Sequence, residues 1–178
     1  KRMAVITTEW RFHCHAWHMA ERFLVGYPIR GEWHTPELEI VSAYVDQFPE
    51  NDLSRQRSDE FGFPIYESVA EALRCGGDQL AVDAVLIIGE HGDYPRNEFG
   101  QKKYPRFEFF KQTVDVFKND GRTAPVFNEK HLSWRWQWAK EMAETSRKMD
   151  FAFLAGSSLP VTWRMPLIDL PYGAETDE

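Results

Sequence analysis

The sequence has few cysteines and no long apolar run, and each absence excludes a class of protein. Its two cysteines, Cys14 and Cys75, lie far apart and form no Cys-x-x-Cys spacing, which excludes a disulfide framework or a zinc knuckle. A reduced, cytoplasmic setting is the simplest expectation. No uninterrupted apolar segment approaches the roughly 20 residues that cross a bilayer, and no signal-peptide core stands at the N-terminus. We therefore expect no membrane interaction.

The sequence also lacks an excess of basic residues. Lys and Arg number 21 against 28 Asp and Glu, so the formal net charge is −7. Nucleic-acid binding depends on clustered Lys and Arg, so nucleic acid is not an expected partner. A length of 178 residues suits one domain. The chain opens on Lys1 and stops at an acidic stretch, from which we expect a fragment of a longer protein.

Strand-like and helix-like segments alternate along the chain. The continuous apolar run Ala84 to Ile88 is typical of a strand covered on both faces of a parallel sheet. The alternation predicts an α/β fold with a doubly wound sheet. Six strands are expected at 3–7, 38–46, 63–66, 82–89, 124–128 and 151–156, and five helices at 13–25, 54–61, 68–75, 106–119 and 133–148.

Local signals mark two helix starts and two long connections. Ser68 with Glu71 predicts a capping box, and Ser133 predicts an N-cap. The Gly- and Pro-rich stretches 26–37 and 89–105 are longer than such connections need. Ligands of open α/β sheets bind beyond the carboxyl ends of the strands, so the second stretch is expected to carry function.

Four stretches together resemble a known family. They are "VSAYVD", ending at Asp46, "EFGFPIYESVAEAL", "VDAVLII" and "APVFNEKHLS". Their order and spacing are similar to the N-terminal Rossmann domain of the glucose-fructose oxidoreductase, inositol dehydrogenase and MocA (Gfo/Idh/MocA) family, over residues 3–158. The resemblance implies a mostly parallel six-stranded sheet in the order 3-2-1-4-5-6, a domain over 1–158, and a tail or the start of a missing C-terminal domain over 159–178.

The resemblance also implies NAD or NADP as cofactor, but the glycine loop is degenerate. The family pattern G-x-G-x-x-G-x-x-H places Thr7, Glu9 and Phe12 at the three glycines and His15 at the histidine. These glycines let the backbone turn tightly and approach a pyrophosphate. Phe12 would obstruct helix packing, and the Glu9 carboxylate would repel phosphates. The candidate cofactor-binding residues are Thr7, Thr8, Glu9, Phe12, His15, Asp46, Gly89 and Glu129.

Two further positions of the family motif carry expected roles. Asp46 would accept hydrogen bonds from a ribose, although an acid after a strand is also a common turn residue. Lys130 matches the lysine of a Glu-Lys-Pro motif that lies beside substrate, with His131 in place of the proline. Lys130 and His131 are the candidate catalytic residues. The alternative for Lys130 is a solvated loop lysine.

Histidines accumulate where the glycines are missing. With strands one, four and five adjacent, His13 or His15 could converge with His91, beside Glu90, and with His131. Imidazoles and a carboxylate can bind Zn²⁺ or move protons. No spacing in the sequence closes a metal site by itself, so no metal ligand is predicted. His18 is expected on the helix surface or in the core, and Cys14 as a small buried residue or a thiol of lowered pKa.

Three functions remain open at this point. The first is an oxidoreductase domain that acts with NAD(P) on a sugar, polyol or related hydroxyl compound, catalytically incomplete without a substrate domain. The second is a non-catalytic Rossmann-like binding or assembly domain that has lost nucleotide binding, its pocket filled by Phe12, Trp10 and the histidines. The third is a metal-assisted hydrolase or isomerase using His15, His91 and His131. The expected partner is a small-molecule ligand, and a homo-oligomer stays open.

Overall fold

A computed structural model describes residues 1–156, which form one parallel sheet between two helical layers. The C-terminal tail predicted over 159–178, and the last two residues of the predicted domain, lie outside the described residues. The elements in chain order are β1 (Arg2–Thr7), α1 (His15–Val25), β2 (Tyr27–Ile29), β3 (Glu32–His34), β4 (Glu39–Val45), α2 (Ser54–Phe61), β5 (Ile65–Tyr66), α3 (Val69–Arg74), β6 (Ala84–Ile88), α4 (Arg106–Asp120), β7 (Val126–Glu129), α5 (Trp136–Lys148) and β8 (Phe153–Gly156).

The main sheet runs in the order β5-β4-β1-β6-β7-β8, and every neighbouring pair is parallel. Counted along the chain without β2 and β3, this order is 3-2-1-4-5-6, so the predicted doubly wound Rossmann-like sheet is confirmed. Thr7 at the end of β1 pairs with Ile88 at the end of β6. The carboxyl ends of β1, β6 and β7 therefore meet at one edge of the sheet, which we call the carboxyl edge.

Apolar side chains cover both faces of the sheet because alternate strand residues point to opposite sides. One face packs under α3, α4 and α5 around Val85, Ile87 and Phe117. The other packs under α1 around Val5 and Leu86. The unbroken apolar run of β6 is thus explained by burial on both sides. Within residues 1–156, no helix is both long and apolar enough to cross a membrane.

The structure corrects two local predictions. The connection 26–37 is not irregular throughout, because it contains the antiparallel pair β2 and β3. Ser133 does not cap α5. That helix begins at Trp136, and the Ser133 hydroxyl oxygen accepts instead from the backbone N–H of Arg135 at 3.2 Å. By contrast, the predicted cap at Ser68 is confirmed, since its oxygen accepts from the N–H of Glu71 at 3.1 Å.

Candidate functional site

Three loops leave the carboxyl edge, and each holds a non-glycine residue in the left-handed backbone region. These residues are His13 after β1, His91 after β6 and Lys130 after β7, with φ values of 62°, 70° and 69°. This conformation costs free energy for a residue with a side chain, and such positions cluster at functional sites when the surroundings enforce them. Among residues 1–156, three of the six non-glycine residues with positive φ therefore lie at the carboxyl edge.

The loop after β1 places a carboxylate where the family pattern has a glycine. Glu9 is only 5% exposed, and its Oε1 lies 2.6 Å from Nε of Arg11. Thr7 is buried, and the carbonyls of Glu9 and Ile88, both at 3.1 Å, share the single proton of its hydroxyl. Thr8 donates to the carbonyl of Glu90. The hydroxyl groups of both threonines thus bind backbone carbonyls. The charged groups of this loop are Glu9 and Arg11, which pair with each other.

The N-terminus of α1 is closed by a cysteine. The Cys14 sulfur accepts from the backbone N–H groups of Trp17 at 3.4 Å and of Arg11 at 3.2 Å. The N–H groups that a helix N-terminus would offer to an anion are partly taken by this cap. Cys14 is fully buried, and burial raises the pKa of its thiol. It is therefore the small buried residue of the sequence analysis rather than a reactive thiol.

Aromatic residues of the same loop point in opposite directions. Phe12 is 57% exposed and stacks on His13 with ring centroids 3.9 Å apart, so its ring does not fill the loop. Trp10 is fully buried and stacks on Phe63 with centroids 6.0 Å apart. The interior of the loop is therefore filled by Trp10, whereas Phe12 lies at its surface.

His15 and Glu129 form a hydrogen-bonded pair across the carboxyl edge. Nδ1 of His15 lies 2.9 Å from Oε1 of Glu129, which is 6% exposed at the end of β7. A carboxylate acceptor holds the imidazole proton on Nδ1 and leaves Nε2 as the acceptor. The ring of His91 packs edge-on against His15 with centroids 4.9 Å apart. The predicted convergence of histidines is thus present for His15 and His91, whereas His13 packs with Phe12 and Trp17.

A fully buried arginine links the loop after β6 to the loop after β7. The Arg106 guanidinium pairs with Glu90, and its Nη1 lies 3.2 Å from Nε2 of His131. Gly89 makes room for it, because a Cβ there would stand 2.6 Å from Cγ of Arg106. Gly89 therefore serves the packing of this arginine. The sequence analysis missed Arg106, whose only signal is its place at the start of the helix that follows the long loop.

Lys130 and His131 lie at the same edge. The backbone N–H of Lys130 donates to the carbonyl of Gly156 at 2.8 Å, which ties the loop to β8. The His131 backbone carbonyl accepts from the Asn128 amide at 3.3 Å. Lys130 and His131 directly follow Glu129 in the chain, so their backbone lies beside the His15–Glu129 pair.

Asp46 directly follows β4, the neighbour of β1 in the sheet, and its carboxylate is already engaged. It accepts from the hydroxyls of Tyr44 at 2.6 Å and Tyr94 at 2.5 Å. Beside it opens a cavity of about 450 Å³ that Phe48 and Tyr66 also line. The carboxylate retains further acceptor capacity towards this cavity.

Two histidines of the edge have pKa values below the ordinary one. Burial lowers the pKa of His91, and the neighbouring His15 adds to this effect. Burial also lowers the pKa of His131, with Arg106 as the second cause. Both imidazoles therefore favour the neutral form that acid–base chemistry requires at neutral pH. Among residues 1–156, no group of three or more His, Cys, Asp or Glu side chains is placed to hold a metal ion.

These pKa shifts predict a loss of stability in mild acid. The unfolded chain binds protons on these histidines below about pH 6.5, whereas the folded chain resists protonation. The free energy of unfolding should therefore fall as pH drops from 7.5 towards 5.5. Urea unfolding across this range should show a flatter dependence for the double variant His91→Asn, His131→Asn, since asparagine tolerates the positive φ of His91. An unchanged pH dependence in the variant would contradict the assignment.

Known structures share this fold. GenD2 from gentamicin A biosynthesis, in complex with NAD, has a TM-score of 0.56 at 15% identity, covering 87% of this chain and 34% of that one. Biliverdin reductase from Synechocystis sp. PCC 6803, with biliverdin and NADP+, has a TM-score of 0.54 at 16% identity, covering 86% and 37%. For myo-inositol 2-dehydrogenase from Lactobacillus plantarum the values are 0.51, 18%, 87% and 35%.

These similarities establish the fold of the chain. No protein-family description matches the sequence, and no curated protein is similar to it. The chain spans little more than a third of the length of the structures that it resembles. It thus has a Rossmann-like fold.

Proposed function

We propose that this chain is an oxidoreductase-like Rossmann domain that binds a small hydroxyl compound at the carboxyl edge and does not hold a dinucleotide pyrophosphate in the usual way. The observation that carries the proposal is the His15–Glu129 pair, a buried carboxylate on an imidazole at 2.9 Å. This pair stands at the edge where ligands of open α/β sheets bind.

The pair suits recognition of a hydroxyl group. Because Glu129 holds the proton on Nδ1, Nε2 of His15 is the acceptor to which a ligand hydroxyl would donate a hydrogen bond. Lys130, in the adjoining loop, would donate to the ligand oxygen, with His131 beside it. The role proposed for Lys130 is the one that the family resemblance implies for it, whereas His131 replaces a proline of the family motif.

The residues at the pyrophosphate position do not fit that group. Glu9 places a buried negative charge in front of β1, and its Arg11 partner is already engaged at 2.6 Å. The Cys14 cap takes N–H groups that would otherwise face phosphate oxygens. Two like charges brought together at low exposure repel strongly. We therefore derive no step through NAD or NADP.

A second candidate function rests on Asp46 and its cavity. Under this alternative the chain is a Gfo/Idh/MocA-type domain that acts with NAD(P) on a sugar, polyol or related compound. The cavity beside Asp46 lies at the strand end where such folds place the ribose. Binding would then depend on the adenosine end, and it would require Glu9 and Arg11 to separate.

Titration of the purified chain distinguishes the two candidates. With myo-inositol as the probe, we expect shifts of the imidazole NMR signals of His15 and His91, and their loss in Glu129→Gln. With NADH and NADPH, followed by fluorescence, we expect no binding below millimolar concentration. Tight binding of either nucleotide would instead favour the second candidate. Histidine signals that do not respond to myo-inositol in the wild type would overturn the first.

A further inference from the structure

Beyond the carboxyl edge, the loop after β6 folds into a small ordered turn. Asn97 Oδ1 accepts from the backbone N–H groups of Phe99 at 3.0 Å and of Gln101 at 2.9 Å. Gly100 supplies the positive φ of 75° that closes the turn. Phe99 at its tip is 79% exposed. The hydrogen-bonded turn thus holds an aromatic side chain in solvent, where it gains no free energy from burial. Packing within the chain does not explain its position.

Between this turn and the start of α5 lies a cavity of about 620 Å³, within the size range of pockets for small organic molecules. We call it the aromatic cavity. Its walls include Phe99, Trp134 and Trp136, the last of which is 75% exposed. The third tryptophan of the "WRWQW" stretch, Trp138, stacks instead on Phe107 in the core. The tryptophans of this stretch thus divide between packing and the cavity.

Positive charge accumulates at the aromatic cavity although the chain carries a net charge of −7. Arg96, Lys103 and Arg135 line it, against the single acid Glu98. Within residues 1–156, neither Lys103 nor Arg135 forms an ion pair with an acid; each lies over a tryptophan ring instead. Cations that are not neutralised by the protein are available to an anionic ligand.

We propose that the aromatic cavity binds a sugar ring that carries a phosphate or carboxylate group. The exposed ring of Trp136 suits the apolar face of a sugar ring, and Trp134 forms the adjoining wall beneath Lys103. Lys103 and Arg135 suit its anionic group, and the Gln101 amide with the Glu98 carboxylate suits its hydroxyls. The site does not depend on the proposed function, because it uses none of the residues of the His15–Glu129 pair.

Binding of glucose 6-phosphate and glucuronate, with neutral glucose for comparison, tests this site. The readouts are calorimetry and the indole N–H NMR signals of Trp134 and Trp136. We expect both anionic sugars to bind and to shift these signals, and glucose to bind at least about tenfold more weakly, because a hydrogen bond to a charged group is among the strong ones.

Variants separate the charge from the rings. Lys103→Gln and Arg135→Gln should each weaken binding of glucose 6-phosphate about tenfold, and Trp136→Ala should weaken all three sugars. Lys111→Gln, an exposed lysine on α4, is the matched control and should bind as the wild type does. Equal binding of glucose and its phosphate, preference for phenyl phosphate over both anionic sugars, or unchanged affinity in the charge variants would each overturn the proposal. The histidine NMR signals report binding at the carboxyl edge separately. Failure of the aromatic-cavity proposal is therefore distinguishable from failure of the proposed function.

Discussion

Replacing Arg106 by methionine is expected to lower the free energy of unfolding by about 3 kcal/mol, at the low end of the cost of breaking a buried ion pair. Arg106 is fully buried and pairs with Glu90, whose side chain is 21% exposed. Methionine keeps most of the aliphatic stem that packs on Gly89, so the loss arises mainly from the carboxylate left without its partner. The partial exposure of Glu90 keeps the effect from being larger. Urea unfolding at pH 7.5 measures it.

A double-mutant cycle isolates this interaction from the loss of packing. Glu90→Gln removes the charge that Arg106→Met would strand, so the double variant should recover at least half of the lost stability. Lys111→Met, an exposed site on the same helix, should change stability by no more than about 0.5 kcal/mol. If the double variant is as unstable as Arg106→Met alone, the guanidinium acts through packing and not through its charge. That outcome would mean that the Arg106–Glu90 ion pair does not stabilise the carboxyl edge.

The sheet was predictable because its signals are local and redundant. The apolar run of β6 and the capping box at Ser68 each determine one element, and the alternation of elements then determines the topology. The prediction of an N-cap at Ser133 was wrong. A serine before an apolar run satisfies the same local rule whether the helix begins at the next residue or three residues later. The sequence alone does not show where the helix begins; in the folded chain Trp134 lies outside it.

The carboxyl edge was predictable only in outline. The adjacency of the strands predicted that His15 and His91 would approach each other, because their proximity depends on topology alone. The partner of His15 did not follow, since Glu129 reaches it across two strands and such a pairing leaves no spacing in the sequence. The same holds for Arg106, which binds groups 16 and 25 residues away. Side-chain direction in loops of unusual backbone conformation is set by the packed structure.

Replacing Trp10 by alanine is the second large effect, and we expect a loss of about 3–5 kcal/mol in the free energy of unfolding. Trp10 is fully buried against Phe63, and its indole N–H donates to Oε1 of Glu21 at 3.3 Å. A cavity of this size at the base of a loop cannot be filled by small shifts of the sheet. Thermal and urea unfolding give the size of the loss.

Two variants identify the cause as packing. Trp10→Phe keeps a ring against Phe63 and should cost no more than about 1.5 kcal/mol, because Glu21 retains its bond from Nε of Arg57 at 2.7 Å. Trp136→Ala, at a tryptophan that is 75% exposed, should change stability by no more than about 0.5 kcal/mol. A loss for Trp10→Ala as small as that of Trp136→Ala would mean that the loop collapses onto the gap, and the assigned role of Trp10 would be wrong.

The role of Trp10 bears on whether the loop could be returned to phosphate binding. Glycines at positions 7, 9 and 12 would restore the family's glycine pattern. The loop would still be anchored by the buried indole of Trp10. Glu9→Gly should therefore remove the negative charge without producing NADH binding below millimolar concentration, because the backbone path is set by Trp10 and the Cys14 cap. Binding of NADH by the Glu9→Gly variant would show that charge alone excludes the dinucleotide. Absence of binding would place the cause in the shape of the loop that Trp10 holds.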